Sequence, residues 1–167
     1  MAKIDNYISQ YGKRLYGLCM HLSADSNEAD DLYQDTWMKV LDNISKYDTS
    51  KEFEPWLTRI CVNTHRNVLR RMTRSPFWNK FSSSDEKDLL INAAPTPVQN
   101  DYGVLHEAIK NLPEKLRITT VLFYFEDMDT ASTAQALDIP LGTVKSRLSK
   151  AKKLLREVLK YETDLQF

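Results

Sequence analysis

Apolar residues recur at steps of three and four through most of this chain. That spacing limits the fold more than any other feature, because it puts the residues on one side of a helix of 3.6 residues per turn. Ile4, Ile8, Tyr11, Leu15, Leu18 and Leu22 make one such stripe, which breaks near Ser23-Ala24-Asp25-Ser26. A second helix is expected behind Asp25, which forms a capping-box pattern with Glu28. Ala29, Leu32, Thr36, Val40 and Ile44 carry its inward face, widened by Tyr33, Trp37 and Leu41. A third begins near Glu52, with Phe53, Trp56, Leu57, Ile60 and Cys61 on its apolar side. Asn63-Thr64-His65 is poor helix material and predicts a kink or short loop before helix resumes over Arg66 to Met72.

From Arg74 to about residue 100 the periodicity fails, and Ser75-Pro76, Ser82-Ser83-Ser84 and Pro95-Thr96-Pro97 are turn and linker signals. Phe77, Trp78 and Phe81 are unusual in a plain linker and suggest docking on a domain or a partner. Helical spacing then returns. Leu105, Ala108, Ile109 and Leu112 mark one helix, and Pro113 suits the start of the next, which buries Leu116, Val121, Phe123 and Tyr124. A short helix from Thr130 to Leu137 has Asp129 as its N-cap. Asp138-Ile139-Pro140 makes a turn. A long helix from about Leu141 to Tyr161 has Val144, Leu148, Ala151, Leu154, Leu155, Val158 and Leu159 inward. The expected fold is all-α, with only four glycines in 167 residues. It has two small helical domains, 1–75 and 103–162, joined by a flexible linker over 76–102.

Net charge is zero, but the charges are segregated. Thr58 to Phe81 holds Arg59, Arg66, Arg70, Arg71, Arg74 and Lys80 and no acid; Ile139 to Arg156 holds Lys145, Arg147, Lys150, Lys152, Lys153 and Arg156 and no acid. Ala24 to Met38 holds Asp25, Glu28, Asp30, Asp31 and Asp35 and no base. Two basic blocks suit a phosphate backbone, and the acidic block predicts a different partner. No apolar run approaches the roughly 20 residues of a membrane span, and the N-terminus lacks a signal peptide's apolar stretch, so a cytoplasmic location is expected. Cys19 and Cys61 lie among apolar residues and read as core, with no zinc spacing and no disulfide framework. No phosphate loop, HExxH, nucleophile elbow or carboxylate cluster in a plausible pocket is present, so no catalytic residue, metal or cofactor is expected.

The short helix, three-residue turn and long basic helix make a helix-turn-helix, whose second helix enters a major groove with its N-terminal residues facing base edges. Thr143, Lys145, Ser146, Ser149 and Lys150 face outward there, and Lys and Ser can hydrogen-bond bases. Arg147, Lys152 and Lys153 are better suited to phosphates. Ile139-Pro140-Leu141-Gly142-Thr143-Val144-Lys145-Ser146-Arg147-Leu148 resembles the recognition helix of sigma region 4, and Leu112-Pro113-Glu114-Lys115-Leu116-Arg117 resembles the stretch that opens that domain. Ser132-Thr133-Ala134 departs from the family's Glu-Ile-Ala, with Thr133 where a buried Ile is usual, which predicts looser packing.

Asp31-Leu32-Tyr33-Gln34-Asp35-Thr36-Trp37 resembles the core of sigma region 2. Asp31 and Asp35 lie one turn apart on one face, ready for Arg partners. Trp56-Leu57-Thr58-Arg59-Ile60-Cys61-Val62-Asn63-Thr64-His65-Arg66-Asn67 resembles the end of that region. The chain thus resembles an RNA polymerase sigma factor of the small extracytoplasmic-function type. The resemblance implies core RNA polymerase as partner: Asp31, Gln34, Asp35 and Trp37 would meet the β′ clamp helices, and the second domain the β flap. It implies promoter DNA as the other partner. Thr143, Lys145, Ser146, Arg147, Ser149 and Lys150 would read the −35 element, and Asn63, Thr64, Asn67, Arg70 and Arg71 the −10 element. A loop at Asn63 would capture an extruded base, whose extrusion costs only a few kcal/mol, and His65 is expected at the surface. The resemblance further implies an anti-sigma factor, which can hold such a protein at a membrane without its inserting. The rival readings are a standalone dimeric helix-turn-helix regulator and an enzyme with a helical DNA-binding appendage.

Overall fold

The computed structural model describes residues 2–74 and 103–164, and side chains from Lys3 to Lys160 within them. Seven α-helices run through the described residues: α1 (Ala2–Leu22), α2 (Ser26–Asn43), α3 (Phe53–Thr73), α4 (Gly103–Lys110), α5 (Glu114–Tyr124), α6 (Thr130–Leu137) and α7 (Leu141–Asp164). A single 3₁₀ turn, Ile44–Lys46, follows α2. The linker expected over 76–102, with Phe77, Trp78 and Phe81, lies outside the described residues.

Local chemistry sets the helix ends. Asp25 caps α2 by accepting from the Glu28 amide at 2.9 Å, and Glu28 answers by accepting from the Ala24 amide at 3.0 Å, one residue before the usual partner of a capping box. Asp129 caps α6 through the Ser132 amide at 2.6 Å. Helix α6 ends at Asp138, whose backbone is left-handed (φ 55°, ψ 50°). The Asp138 and Ile139 amides then bond back to Gln135 and Ala134, a Schellman closure in which Asp stands where Gly is common. Pro140 opens α7 by accepting from the Thr143 and Val144 amides.

The two halves of the chain are packed on each other. One core cluster takes Leu15, Leu18 and Leu22 from α1, Ala29, Leu32 and Val40 from α2 and Leu57 and Val62 from α3, and it continues into Ile118, Val121, Leu122, Ala136 and Leu137 of α5 and α6. Helix α3 lies against α6, and α1 against α5. A smaller cluster of Leu112, Leu116 and Ala151, flanked by Leu154 and Leu155, holds the second half together. Polar contacts rim the seam. Arg117 is buried and donates to the Leu22 carbonyl at 3.1 Å, satisfying one of the free carbonyls at the end of α1. Arg14 does the same for the Glu126 carbonyl at 2.8 Å.

Several expectations need correction. Helix α3 is unbroken through Asn63-Thr64-His65. Packing outweighs propensity there: Val62, Thr64 and His65 are all buried, and the Thr64 hydroxyl donates to the Ile60 carbonyl at 2.7 Å inside the helix. Ile8, Leu41, Tyr124, Val158 and Leu159 were expected inward and are exposed. Val158 and Leu159 lie in the last turns of α7, beyond the small cluster that ends near Leu155. Cys19 and Cys61 are fully buried, as expected of core cysteines, with sulfurs 3.8 Å apart.

Candidate polymerase and nucleic-acid interfaces

Helix α2 presents its acidic face to solvent. Asp31, Gln34 and Asp35 are exposed, with Asp30 and Met38 beside them, because Ala29, Leu32, Thr36 and Val40 fix the opposite face in the core. Trp37 does not join this face. Its ring is buried at 7% exposure, edge-on to Tyr33, and its indole N–H has no partner.

On α3, Asn63, Asn67, Arg70, Arg71 and Arg74 are exposed. Steps of four, three and four align Asn63, Asn67, Arg70 and Arg74 into one polar ridge about three turns long. Two residues expected beside them are elsewhere. Thr64 is buried, its hydroxyl held by the Ile60 carbonyl and by Lys39 Nζ at 3.2 Å. His65 is buried beneath α5, 3.4 Å from a donating Arg117 nitrogen, and burial followed by the charges of Arg117 and Arg66 pushes its pKa down to about 3. It is therefore a neutral acceptor in the seam and not a surface contact.

The basic residues on the seam side of α3 are engaged by acids from the second half. Arg59 pairs with Asp138 at 2.7 Å, and Arg66 meets Glu114 at 3.7 Å. Sequence reading missed this, although Arg117, lying between Leu116 and Ile118 in a run of buried residues, is the kind of misplaced charge that marks a buried contact.

The reading missed a second feature. The stretch between α2 and α3 closes on itself: the Tyr47 hydroxyl donates to the Lys51 carbonyl, and Asp48 accepts from the Ser50 amide at 3.0 Å and its hydroxyl at 2.7 Å. Beside it lies a cavity of about 200 Å³ lined by Tyr47, Trp56, Lys46, Lys51, Arg59 and Gln135. The Tyr47 and Trp56 rings are 4.8 Å apart. Two aromatic rings and three cations line it together with the carboxylates of Asp48 and Glu52. The sequence signal was available in Lys46-Tyr47 and Trp56, aromatic and basic residues on either side of a polar loop.

In the second half, the left-handed turn at Asp138 sends α7 off α6 with its basic face outward. Lys145, Ser146, Ser149 and Lys150 are exposed, Thr143 is half-buried, and Val144, Leu148 and Ala151 bury the other side. The Ser146 hydroxyl is turned back to the Thr143 carbonyl at 3.0 Å. Lys152 sits 5.9 Å over the Tyr124 ring. Arg147 departs from its neighbours: it is half-buried in the seam, and one of its terminal nitrogens is enclosed without a partner. Thr133 is fully buried and its hydroxyl is also unpartnered, so the departure from an apolar residue there leaves an unsatisfied polar atom in the core. Among the described residues no group of three or more His, Cys, Asp or Glu could hold a metal, and no helix is long and apolar enough to cross a membrane.

The sigma-70 region 2 family model matches residues 7–75, and the sigma-70 region 4 model matches residues 102–155. The two models in this order span well over half the chain, which belongs to the sigma-70 family of RNA polymerase sigma factors. Within the family it falls among the small extracytoplasmic-function factors. It is 26% identical to the sigma factor SigW of Bacillus subtilis over 90% of this chain and 85% of that protein. It is 27% identical to the RNA polymerase sigma-H factor of Pseudomonas aeruginosa over 93% and 85%. The fold is that of the sigma factor RpoE solved with the anti-sigma factor NepR from Bartonella quintana, at a TM-score of 0.76 over 96% of this chain and 98% of that one with 24% identity. It is also that of CnrH, solved with the cytosolic domain of CnrY, at a TM-score of 0.67, 18% identity, over 95% and 88%.

Proposed function

We propose that this chain is a transcription initiation factor that performs no catalysis itself, binds core RNA polymerase in the cytoplasm, and directs it to promoters carrying paired −10 and −35 elements. The observation that carries this reading is the presence, in one chain, of three separate solvent-facing surfaces. They are the acidic face of α2 (Asp31, Gln34, Asp35), the polar ridge of α3 (Asn63, Asn67, Arg70, Arg71) and the basic first turns of α7 (Lys145, Ser146, Ser149, Lys150). A standalone dimeric regulator has no use for the first of these. The acidic face suits the Arg-rich clamp helices of β′, the second half the β flap, α7 the major groove at −35, and the α3 ridge the upstream part of the −10 element.

The base trap belongs at the cavity between Tyr47 and Trp56 rather than at Asn63, because an unbroken helix offers no concavity and the 46–52 loop does. A base extruded from the duplex stacks on Tyr47 and Trp56 there, with its phosphates near Lys46 and Lys51. Polymerase holds two individually weak readers at a fixed spacing and so makes them selective through effective concentration. An anti-sigma factor that covers these surfaces is the expected regulator, in keeping with the partners of the two structural relatives.

Run-off transcription with purified bacterial core polymerase on a genomic fragment library tests the proposal. Defined start sites that depend on the protein, preceded by a shared pair of spaced elements, are the expected result. Promoter-independent DNA binding by the protein alone, with no new start sites, would overturn it in favour of an ordinary helix-turn-helix regulator.

A further inference from the structure

The two cysteines of this chain face each other across the contact between α1 and α3. Cys19 lies in the last turn of α1 and Cys61 near the middle of α3, 42 positions apart in sequence. Their sulfurs are 3.8 Å apart, with one S–H donating to the other sulfur. Both are fully buried in the cluster that also holds Leu15, Leu18, Leu57 and Val62. A disulfide needs its sulfurs about 2.05 Å apart, a gap that a displacement of about 1 Å on each side would close. The end of a helix moves by that much more readily than its centre, and Cys19 is at such an end.

We propose that Cys19 and Cys61 are a modification site, at which a hydroperoxide converts the thiol pair to a reversible disulfide that braces the end of α1 against α3. One sulfur, as its thiolate, attacks one peroxide oxygen; the other oxygen leaves as hydroxide and takes up a proton, and a sulfenic acid remains. The neighbouring thiol gives up its proton, attacks the sulfenic sulfur and displaces a second water. Two thiols and one hydrogen peroxide become one disulfide and two waters, with two electrons passing from sulfur to peroxide. The second thiol is already in contact with the first, so it resolves the sulfenic acid before more peroxide carries it to sulfinic acid. Hydrogen bonding to Cys61, followed by burial, pushes the Cys19 thiol up, so the closed core protects the pair and reaction follows opening of the helix end. Hydrogen peroxide is close to water in size and passes such an opening, whereas bulky thiol reagents do not. The cross-link closes a loop that contains all of α2 and the 46–52 stretch, and so restricts the unfolded chain. None of this depends on the promoter-reading function proposed above.

Treating the reduced full chain with millimolar hydrogen peroxide, stopping with catalase and reading intact mass and thiols in guanidinium tests the proposal. Both thiols should disappear together from a monomer lighter by two hydrogen atoms, a peptide should join Cys19 to Cys61, and dithiothreitol should restore both thiols. The cross-linked fraction should be several-fold higher for the folded chain than for chain treated in guanidinium, because only the fold holds the sulfurs together. The oxidised monomer should unfold at a higher urea concentration than the reduced one, and the difference should vanish on reduction. Sulfinic acid at either cysteine without the cross-link, disulfide-linked dimers, two untouched thiols, or an equal yield from unfolded chain would each overturn the proposal. A urea midpoint lowered by oxidation would overturn it too, by making the bond a lesion and not a brace.

Discussion

Single side chains decide how this chain closes. His65 is neutral because burial and the guanidiniums of Arg117 and Arg66 hold its pKa at about 3, against an ordinary value near 6.5. Its folded-state pKa is depressed, so its contribution is fully present above about pH 6.5 and is lost progressively as pH falls toward 3. Between pH 6.5 and 5.5 the closed fold should lose about 1 kcal/mol from this residue, a slope of up to roughly 1.4 kcal/mol per pH unit. Urea unfolding at those two pH values should show the loss, and His65→Gln should flatten it. Thr133 makes the opposite point. Its buried hydroxyl finds no partner, so Thr133→Val should stabilise the fold by about 1 kcal/mol in the same assay, since an isosteric methyl removes an unpaid desolvation cost. Neither residue was read correctly in full from sequence. Thr133 was marked as a departure from an apolar site, but His65 looked like a surface residue because its partner in the seam, Arg117, lies 52 positions away.

Helices were the most legible level. Apolar stripes, with Asp25, Pro113 and Asp129 marking three of the starts, placed every helix to within a few residues, because caps and 3.6-residue periodicity are local properties. The break expected at Asn63 was wrong for a non-local reason: the α3 face that carries Val62 and His65 is pinned by the core and by α5. The base capture proposed for the loop before α3 makes a prediction at Tyr47. Tyr47→Ala should slow open-complex formation at a cognate promoter by about tenfold, the weight of one base stack. A 2-aminopurine placed in the non-template strand at −10 would report the change. Asp31→Lys with Asp35→Lys should abolish co-elution with core polymerase while leaving the helical circular dichroism spectrum intact, because both carboxylates are exposed and no described contact within the chain depends on them. At the start of α6, Asp129→Ala should cost about 1 kcal/mol through the lost cap on Ser132.

At the scale of the whole molecule, the halves share one hydrophobic core, and the two arginines nearest the cavity and ridge, Arg59 and Arg66, are paired with acids of the other half. Composition and periodicity could describe each half but not their packing, since the residues that join them (Leu22, Arg117, Ala136 and Leu137 among them) look like ordinary core positions of separate bundles. Under the proposed function, the packed form is not one that reads a promoter. Gln135 walls the cavity proposed to receive a base, Asp138 holds Arg59, and one terminal nitrogen of Arg147 is enclosed. Two elements separated along DNA cannot be reached by readers folded on each other, so engagement with polymerase must part them, exchanging buried apolar area for contacts on the enzyme. The direct test is the distance between the halves, followed by single-molecule energy transfer between dyes on Ser26→Cys and Lys153→Cys, two exposed positions on opposite sides of the seam. The native cysteines are fully buried and unreactive to the dyes. A single high-transfer state for the free chain, replaced by a low-transfer state on adding core polymerase, is the predicted result; high transfer that persists in a complex actively initiating transcription would contradict the account.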